Sequence, residues 1–130
     1  MTNPAALKYT KTDEWVKLDG EFALVGITDF AQSQLSDIVY VEFMAEEGDS
    51  VSKGDAVATI ESVKAAADVQ FPVSGTITEV NEDLADEPEV LNTDAFGSGW
   101  LMKLKLDDPD ELNEMLDAEA YDAYIKDREG

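Results

Sequence analysis

The sequence predicts a mainly β fold, a barrel or sandwich closed by C-terminal helices. Three observations predict it. Short strand-like runs separated by turn residues fill roughly the first hundred positions. Trp100, Met102, Leu104 and Leu106 alternate cleanly with Lys103 and Lys105, as on a strand with one face buried. The chain then ends in two capped apolar stripes at helical spacing.

Taken in order, Glu14 to Leu18 and Glu21 to Ile27 flank Asp19-Gly20, a strong hairpin signal. Thr28 or Asp29 can cap a short helix through Leu35, with Gln32 placed to reach back to the cap. Ile38 to Phe43 is apolar on both faces, as expected of a central strand. Glu46-Glu47-Gly48-Asp49 and Lys53-Gly54-Asp55 read as turns. Ala56 to Ser62 and Ala67 to Phe71 form two strands meeting at Lys64, with Ala67, Val69 and Phe71 on one face and Asp68 and Gln70 on the other. Pro72 and Gly75 bracket a turn into Thr76 to Asn81, and Glu82 to Pro88 is irregular or a single helical turn. Phe96-Gly97-Ser98-Gly99 is a turn rather than a phosphate cradle, since no helix pattern follows it. Asp108 caps a helix with Pro109 in its first position, Glu111 three past the cap, and Leu112, Met115 and Leu116 as its stripe. Asp117 caps a second helix, striped by Ala120, Tyr121, Tyr124 and Ile125.

At 130 residues and 44% apolar the chain is sized for one domain with its own core, and no low-complexity linker divides it. Nine basic against thirty acidic residues give a formal charge of −21. Such a surface repels phosphates, which argues against nucleic acid and anionic membranes as partners. Partners with basic docking surfaces are favoured, through contacts that weaken with salt. A bland account, acidity for solubility or a salty habitat, stands beside that one. With neither cysteine nor histidine there are no thiol nucleophiles, disulfides, imidazole bases or ordinary zinc sites, and a Ser-His-Asp triad is excluded. No run approaches a membrane-spanning helix, and the first residues, Met1 to Leu7, have neither signal-peptide nor transit-peptide character. A cytoplasmic protein is the simplest expectation. The acids Asp83, Asp86, Glu87 and Glu89 lack EF-hand spacing and read as a solvated loop.

Against this background Lys64 stands out. It is the sole basic residue between Gly54 and Met102, it falls where the strand pattern reverses, and the small residues Ala65, Ala66 and Ala67 follow it. Lys8, Lys11, Lys17, Lys53, Lys103, Lys105 and Lys126 have unremarkable neighbourhoods. A lone cation at a hairpin tip reads as a handle for a modifying enzyme. On spacing alone, a surface lysine paired with Glu61 across the turn, contributing roughly 0 to 1 kcal/mol, is the commoner arrangement.

The window Val57-Ala58-Thr59-Ile60-Glu61-Ser62-Val63-Lys64-Ala65-Ala66-Ala67-Asp68-Val69 resembles the lipoylation site of the glycine cleavage system H proteins. Asp13-Glu14-Trp15-Val16, Val25 to Asp29 and Asp37 to Val41 resemble that family's opening, and Phe71 to Gly75, Val80 to Glu82, Leu84 to Pro88 and Gly99 to Leu101 its middle. Leu116 to Tyr121 resembles its end, so coverage runs from about Leu7 to Ile125. Biotin carriers place Met on both sides of the lysine, and 2-oxo acid dehydrogenase lipoyl domains usually have Asp before it; this chain has Val63 and Ala65. Family members usually carry His at the position of Asp13 and often at that of Phe30, and this chain departs from them there.

The resemblance implies a lipoyl/biotinyl-type barrel-sandwich hybrid with a short helix in its N-terminal half and helices at its C-terminus, a single lipoyl-carrier domain over 1–130 with a core of about 7–125. It implies lipoate joined by an amide to Lys64, and a carrier that does no catalysis of its own. The partners implied are the pyridoxal-phosphate glycine decarboxylase (P protein), which loads the arm with the aminomethyl group of glycine, the aminomethyltransferase (T protein), dihydrolipoyl dehydrogenase (L protein) and a lipoate-attaching enzyme, met by a monomer. A loaded arm is fragile, because the nitrogen lone pair can expel the thiolate and lead to formaldehyde. A carboxylate that keeps the amine protonated, in a cleft that excludes water, suppresses this loss. Glu14 matches that carboxylate, with Thr12 and Asp68 close by as the docking cleft. Alternative readings are an H-like relay or donor in protein lipoylation, an unmodified acidic interaction domain and, more distantly, an enzyme using its own carboxylates.

Overall fold

The computed structural model describes residues 3–129. Nine strands make two antiparallel sheets. The larger orders β1 (Lys8–Tyr9), β2 (Glu14–Asp19), β3 (Phe22–Ile27), β9 (Met102–Leu106), β8 (Gly75–Val80) and β5 (Ser50–Val51). The smaller orders β4 (Ile38–Phe43), β6 (Ala56–Ser62) and β7 (Ala66–Gln70). The sheets do not close into a barrel; they pack as a barrel-sandwich hybrid around Val25, Val41, Ile60, Phe71, Ile77 and Leu104, all buried.

A second cluster forms under the C-terminal helix α4 (Ala118–Glu129): Tyr9, Trp15, Phe30, Tyr121 and Ile125 are buried there. Tyr9 and Tyr121 stack with ring centroids 4.8 Å apart, and the Trp15 indole N–H donates to the Ala95 carbonyl at 3.0 Å. Trp15 lies opposite Gly26, where a Cβ would come within 2.7 Å of the indole, so the ring requires glycine there.

Several local expectations are corrected. Asp19 pairs with Phe22, so the hairpin turn is Gly20-Glu21, one residue later than expected, with Gly20 at φ 65°. Thr28, not Asp29, is the N-cap of α1 (Asp29–Leu35), accepting from the Ala31 N–H at 3.2 Å. That puts Ala31 rather than Gln32 three past the cap, and the Gln32 amide donates to the Asp29 carboxylate at 2.6 Å instead. β4 is an edge strand, not a central one: Val39 and Tyr40 face solvent, after a bulge between Ile38 and Tyr40. Glu82 to Pro88 does hold a single turn, α2 (Asp83–Asp86), and a second one, α3 (Val90–Thr93), follows it. Trp100 precedes β9 and joins the second cluster. The helix after Asp108 is a 3-10 helix, Pro109–Glu114, and Glu111 turns away from its cap to accept from Ser74, at 2.8 Å from the N–H and 2.9 Å from the hydroxyl. Asp117 caps α4 as expected through the Ala120 N–H at 2.8 Å, but Ala120 itself is exposed. Among the described residues no helix is long and apolar enough to cross a membrane.

Candidate functional site

β6 and β7 form a hairpin in which Glu61 faces Ala66 and Ile60 faces Ala67. Its tip is organised by Ser62. The Ser62 N–H donates to the Ala65 carbonyl at 2.8 Å, and the Ser62 hydroxyl oxygen accepts from the N–H groups of Ala65 at 3.0 Å and Lys64 at 3.3 Å. Small residues suit this tip, because the chain reverses over Val63, Lys64 and Ala65, all exposed. Lys64 therefore projects into solvent. Among the described residues its ammonium forms no salt bridge, so the pairing with Glu61 is not made.

Down the hairpin from Lys64 lies a cleft of about 240 Å³, between β7, the residues leading into β2, and α1. Its lining combines the apolar Ile27, Leu35, Ile60 and Val69 with polar residues that include Thr12, Glu14 and Asp68. The three residues expected from sequence to share a site are thus brought together. Ala65 at the tip is two residues beyond Ala67 of the wall, about 7 Å at the usual strand rise. The volume is below the roughly 300–1,000 Å³ of pockets for drug-sized ligands.

Glu14 is 3% exposed. Its Oε1 accepts from the hydroxyls of Thr10, at 2.7 Å, and Thr12. Its Oε2 receives only a long contact, the Gln70 N–H at 3.4 Å. One oxygen is thus saturated and the other retains acceptor capacity on a group that lines the cleft. Burial pushes the Glu14 carboxyl above its usual range, the hydroxyl and amide donors pull it partly back, and the charge of Asp13 adds to the rise. Asp68, exposed on the same strand as the cleft wall, accepts from the Thr59 hydroxyl at 2.8 Å across the β6–β7 pair.

Two parts of the site were not among the residues expected from sequence. Thr10 is one; its alternation with Thr12 and Glu14 was the available clue. The other is the support behind the cleft. Asp13, at φ 71°, accepts through one carboxylate oxygen from the Tyr121 hydroxyl at 2.9 Å and from Arg128 at 2.7 Å. The Tyr121 hydroxyl in turn accepts from Thr28 at 2.6 Å. Arg128 lies 4.8 Å from the Phe30 ring centroid and 5.2 Å from that of Tyr124, and it lines the cleft. Asp13 and Phe30, the two positions where histidine was expected, are therefore both occupied by contacts with Arg128. Burial raises the Tyr121 phenol far above its usual range, so it remains a neutral donor.

Two packed sheets that present a lysine at a hairpin tip, next to a narrow cleft, define a carrier domain for a covalently attached cofactor. The comparisons specify which. The family described as Glycine cleavage H-protein matches residues 7–128. A glycine cleavage system H protein of Thermotoga maritima is 55% identical over 117 residues, covering 90% of this chain and 94% of that one. A probable glycine cleavage system H protein of Aeropyrum pernix is 51% identical over 122 residues, covering 94% and 85%. The crystal structure of a glycine cleavage system H protein from Mycobacterium marinum superposes with a TM-score of 0.84 at 32% identity, covering 98% of this chain and all of that one. The chain belongs to the glycine cleavage H-protein family. Members of that family are non-catalytic carriers bearing lipoate on a lysine, and they work with the P, T and L proteins of glycine cleavage.

Proposed function

We propose that Lys64 is the lipoyl attachment site and that this chain, as one carrier domain acting as a monomer in the cytoplasm, moves the aminomethyl group of glycine from its decarboxylase to its aminomethyltransferase, with dihydrolipoyl dehydrogenase restoring the arm. The observation that carries the reading is the exposed Lys64 at the hairpin tip, just before β7, whose residues Ala67 to Val69 line a cleft that also holds buried Glu14. Attachment needs a reachable amine. Its lone pair attacks an activated lipoyl carbonyl, the C–N bond forms, the bond to the leaving group breaks, and a proton is lost. Bound lipoate would supply an electrophilic disulfide and a two-electron redox couple; the chain supplies reach and shelter.

Glu14 holds the cargo's ammonium through Oε2, while Thr10 and Thr12 fix Oε1 and so the plane of the carboxylate. The low exposure of Glu14 keeps that pairing little screened. Ile27, Leu35, Ile60 and Val69 cover the arm's methylenes and exclude water. Asp68, exposed, adds a second negative charge to the cleft lining. The test is carbon dioxide release from glycine by a matching decarboxylase, using the lipoylated chain as acceptor. One turnover per carrier is expected, and none with Lys64→Arg; equal release from both would end the proposal.

A further inference from the structure

We propose that the surface formed by Val39, Tyr40 and Val63, rimmed by Asp37, Glu42 and Glu61, is the docking site for the enzyme that acylates Lys64, and that this enzyme meets it with an apolar centre set among Lys and Arg side chains. The proposal rests on Lys64 being the attachment site.

Among the described residues five large apolar side chains are exposed, and three of them, Val39 at 53%, Tyr40 at 46% and Val63 at 69%, surround this one hairpin. Scattered exposed apolar residues are ordinary; a group of them beside a modifiable residue is not. The backbone sets the grouping. Tyr40 faces Glu61, Ile38 faces Ser62, and the Val63 N–H donates to the Asp37 carbonyl at 3.1 Å, which fastens the hairpin tip to the start of β4. The bulge between Ile38 and Tyr40 re-aims Val39 outward.

The occupant follows from charge. No Lys or Arg lies between residues 37 and 44 or between 56 and 63, although edge strands are commonly guarded by lysine. A second copy of a chain with formal charge −21 is repelled from this edge, whereas a basic partner is drawn to it. The acylating enzyme meets a bare lysine and must reject seven others, so it has to read the surface around it. Lys17 has one exposed apolar neighbour, Leu18, and lacks the rest of the patch. In the step itself the Lys64 amine forms a C–N bond to the carbonyl of an acyl adenylate, the acyl–phosphate bond breaks with its electron pair leaving on AMP, and the amine proton goes to solvent; nothing is oxidised or reduced.

The experiment uses the full unmodified chain with lipoate–protein ligase, lipoate and ATP, following kcat/KM by intact mass. Wild type is compared with Val39→Ser/Tyr40→Ser, with Val63→Ser, and with Leu18→Ser as a control on the other sheet. In parallel, the reaction of Lys64 with a small acetylating reagent is read by peptide mapping. The expected result is a fall of about tenfold or more in enzymatic kcat/KM, carried by KM, for both patch variants; a tenfold change corresponds to about 1.4 kcal/mol of lost contact. Leu18→Ser and every rate of chemical acetylation stay at wild-type values. Wild-type kcat/KM in both patch variants would overturn the proposal. So would an equal fall in chemical acetylation, since the variants would then act by moving the hairpin. Wild-type chain that is acylated elsewhere than Lys64 would overturn the reading of Lys64 itself, and this proposal with it.

Discussion

Replacing Glu14 by Gln probes the cleft most sharply, because it removes a charge while conserving shape. The Gln carbonyl can still accept from Thr10 and Thr12, as Oε1 does now. What changes is the second position, where an NH₂ donor takes the place of the Oε2 acceptor and can no longer receive a hydrogen bond from an ammonium. A hydrogen bond to a charged group contributes a net of about 1.5–3 kcal/mol. At 3% exposure Glu14 offers little room for water to take over that role. Loss of the bond should therefore speed breakdown of the loaded arm roughly 10- to 150-fold, at about 1.4 kcal/mol per factor of ten. The assay loads lipoylated wild type and Glu14→Gln with the aminomethyl group, isolates them and follows formaldehyde release at fixed pH. Release from Glu14→Gln within twofold of wild type, with an unchanged melting midpoint, would refute the role assigned to Glu14.

The same substitution predicts a change in stability with pH. The folded-state carboxyl of Glu14 is raised above 4.5, so between the unfolded and folded values the native chain holds the proton more often. The stability this contributes is present below the unfolded value and is lost as pH rises through the folded one. Stability of Glu14→Gln relative to wild type should climb with pH across that window and be flat on either side; a difference constant with pH would contradict the raised value. Thr28→Val removes both the acceptor for the Ala31 N–H and the donor to the buried Tyr121 hydroxyl; the lost cap alone should cost about 0.5–2 kcal/mol, with faster amide exchange at Ala31 as its local signature. Gly75→Ala places a Cβ 2.3 Å from the Lys105 carbonyl oxygen, forcing β8 and β9 apart. Overpacking of this kind costs about 1–3 kcal/mol, read as a melting midpoint several degrees lower.

The hairpin that carries Lys64 was legible because its outgoing strand alternates and its tip residues are small. Glu14, Thr12 and Asp68 came only through family resemblance; nothing in their spacing says that residue 14 meets residue 68 across two sheets. β4 was misread for a physical reason. An apolar run records only that its side chains avoid charge, and an edge strand that serves a partner looks the same in sequence as one buried at the centre of a sheet. The Gly20-Glu21 turn was missed by one residue because Asp-Gly fits either register, and Asp19↔Phe22 pairing decides it. The Asp13–Tyr121–Arg128 support could not be read, since Tyr121 and Arg128 lie 108 and 115 positions from Asp13 and nothing in their spacing links them.

The central claim is that a single amine, that of Lys64, receives the cofactor. Digestion and fragment mapping of the chain after incubation with lipoate, ATP and its ligase tests it directly. The account predicts one lipoyl group per chain, located on the peptide containing Lys64 and absent from Lys64→Arg. A lipoyl group on any of the other seven lysines, or retained by Lys64→Arg, would contradict it.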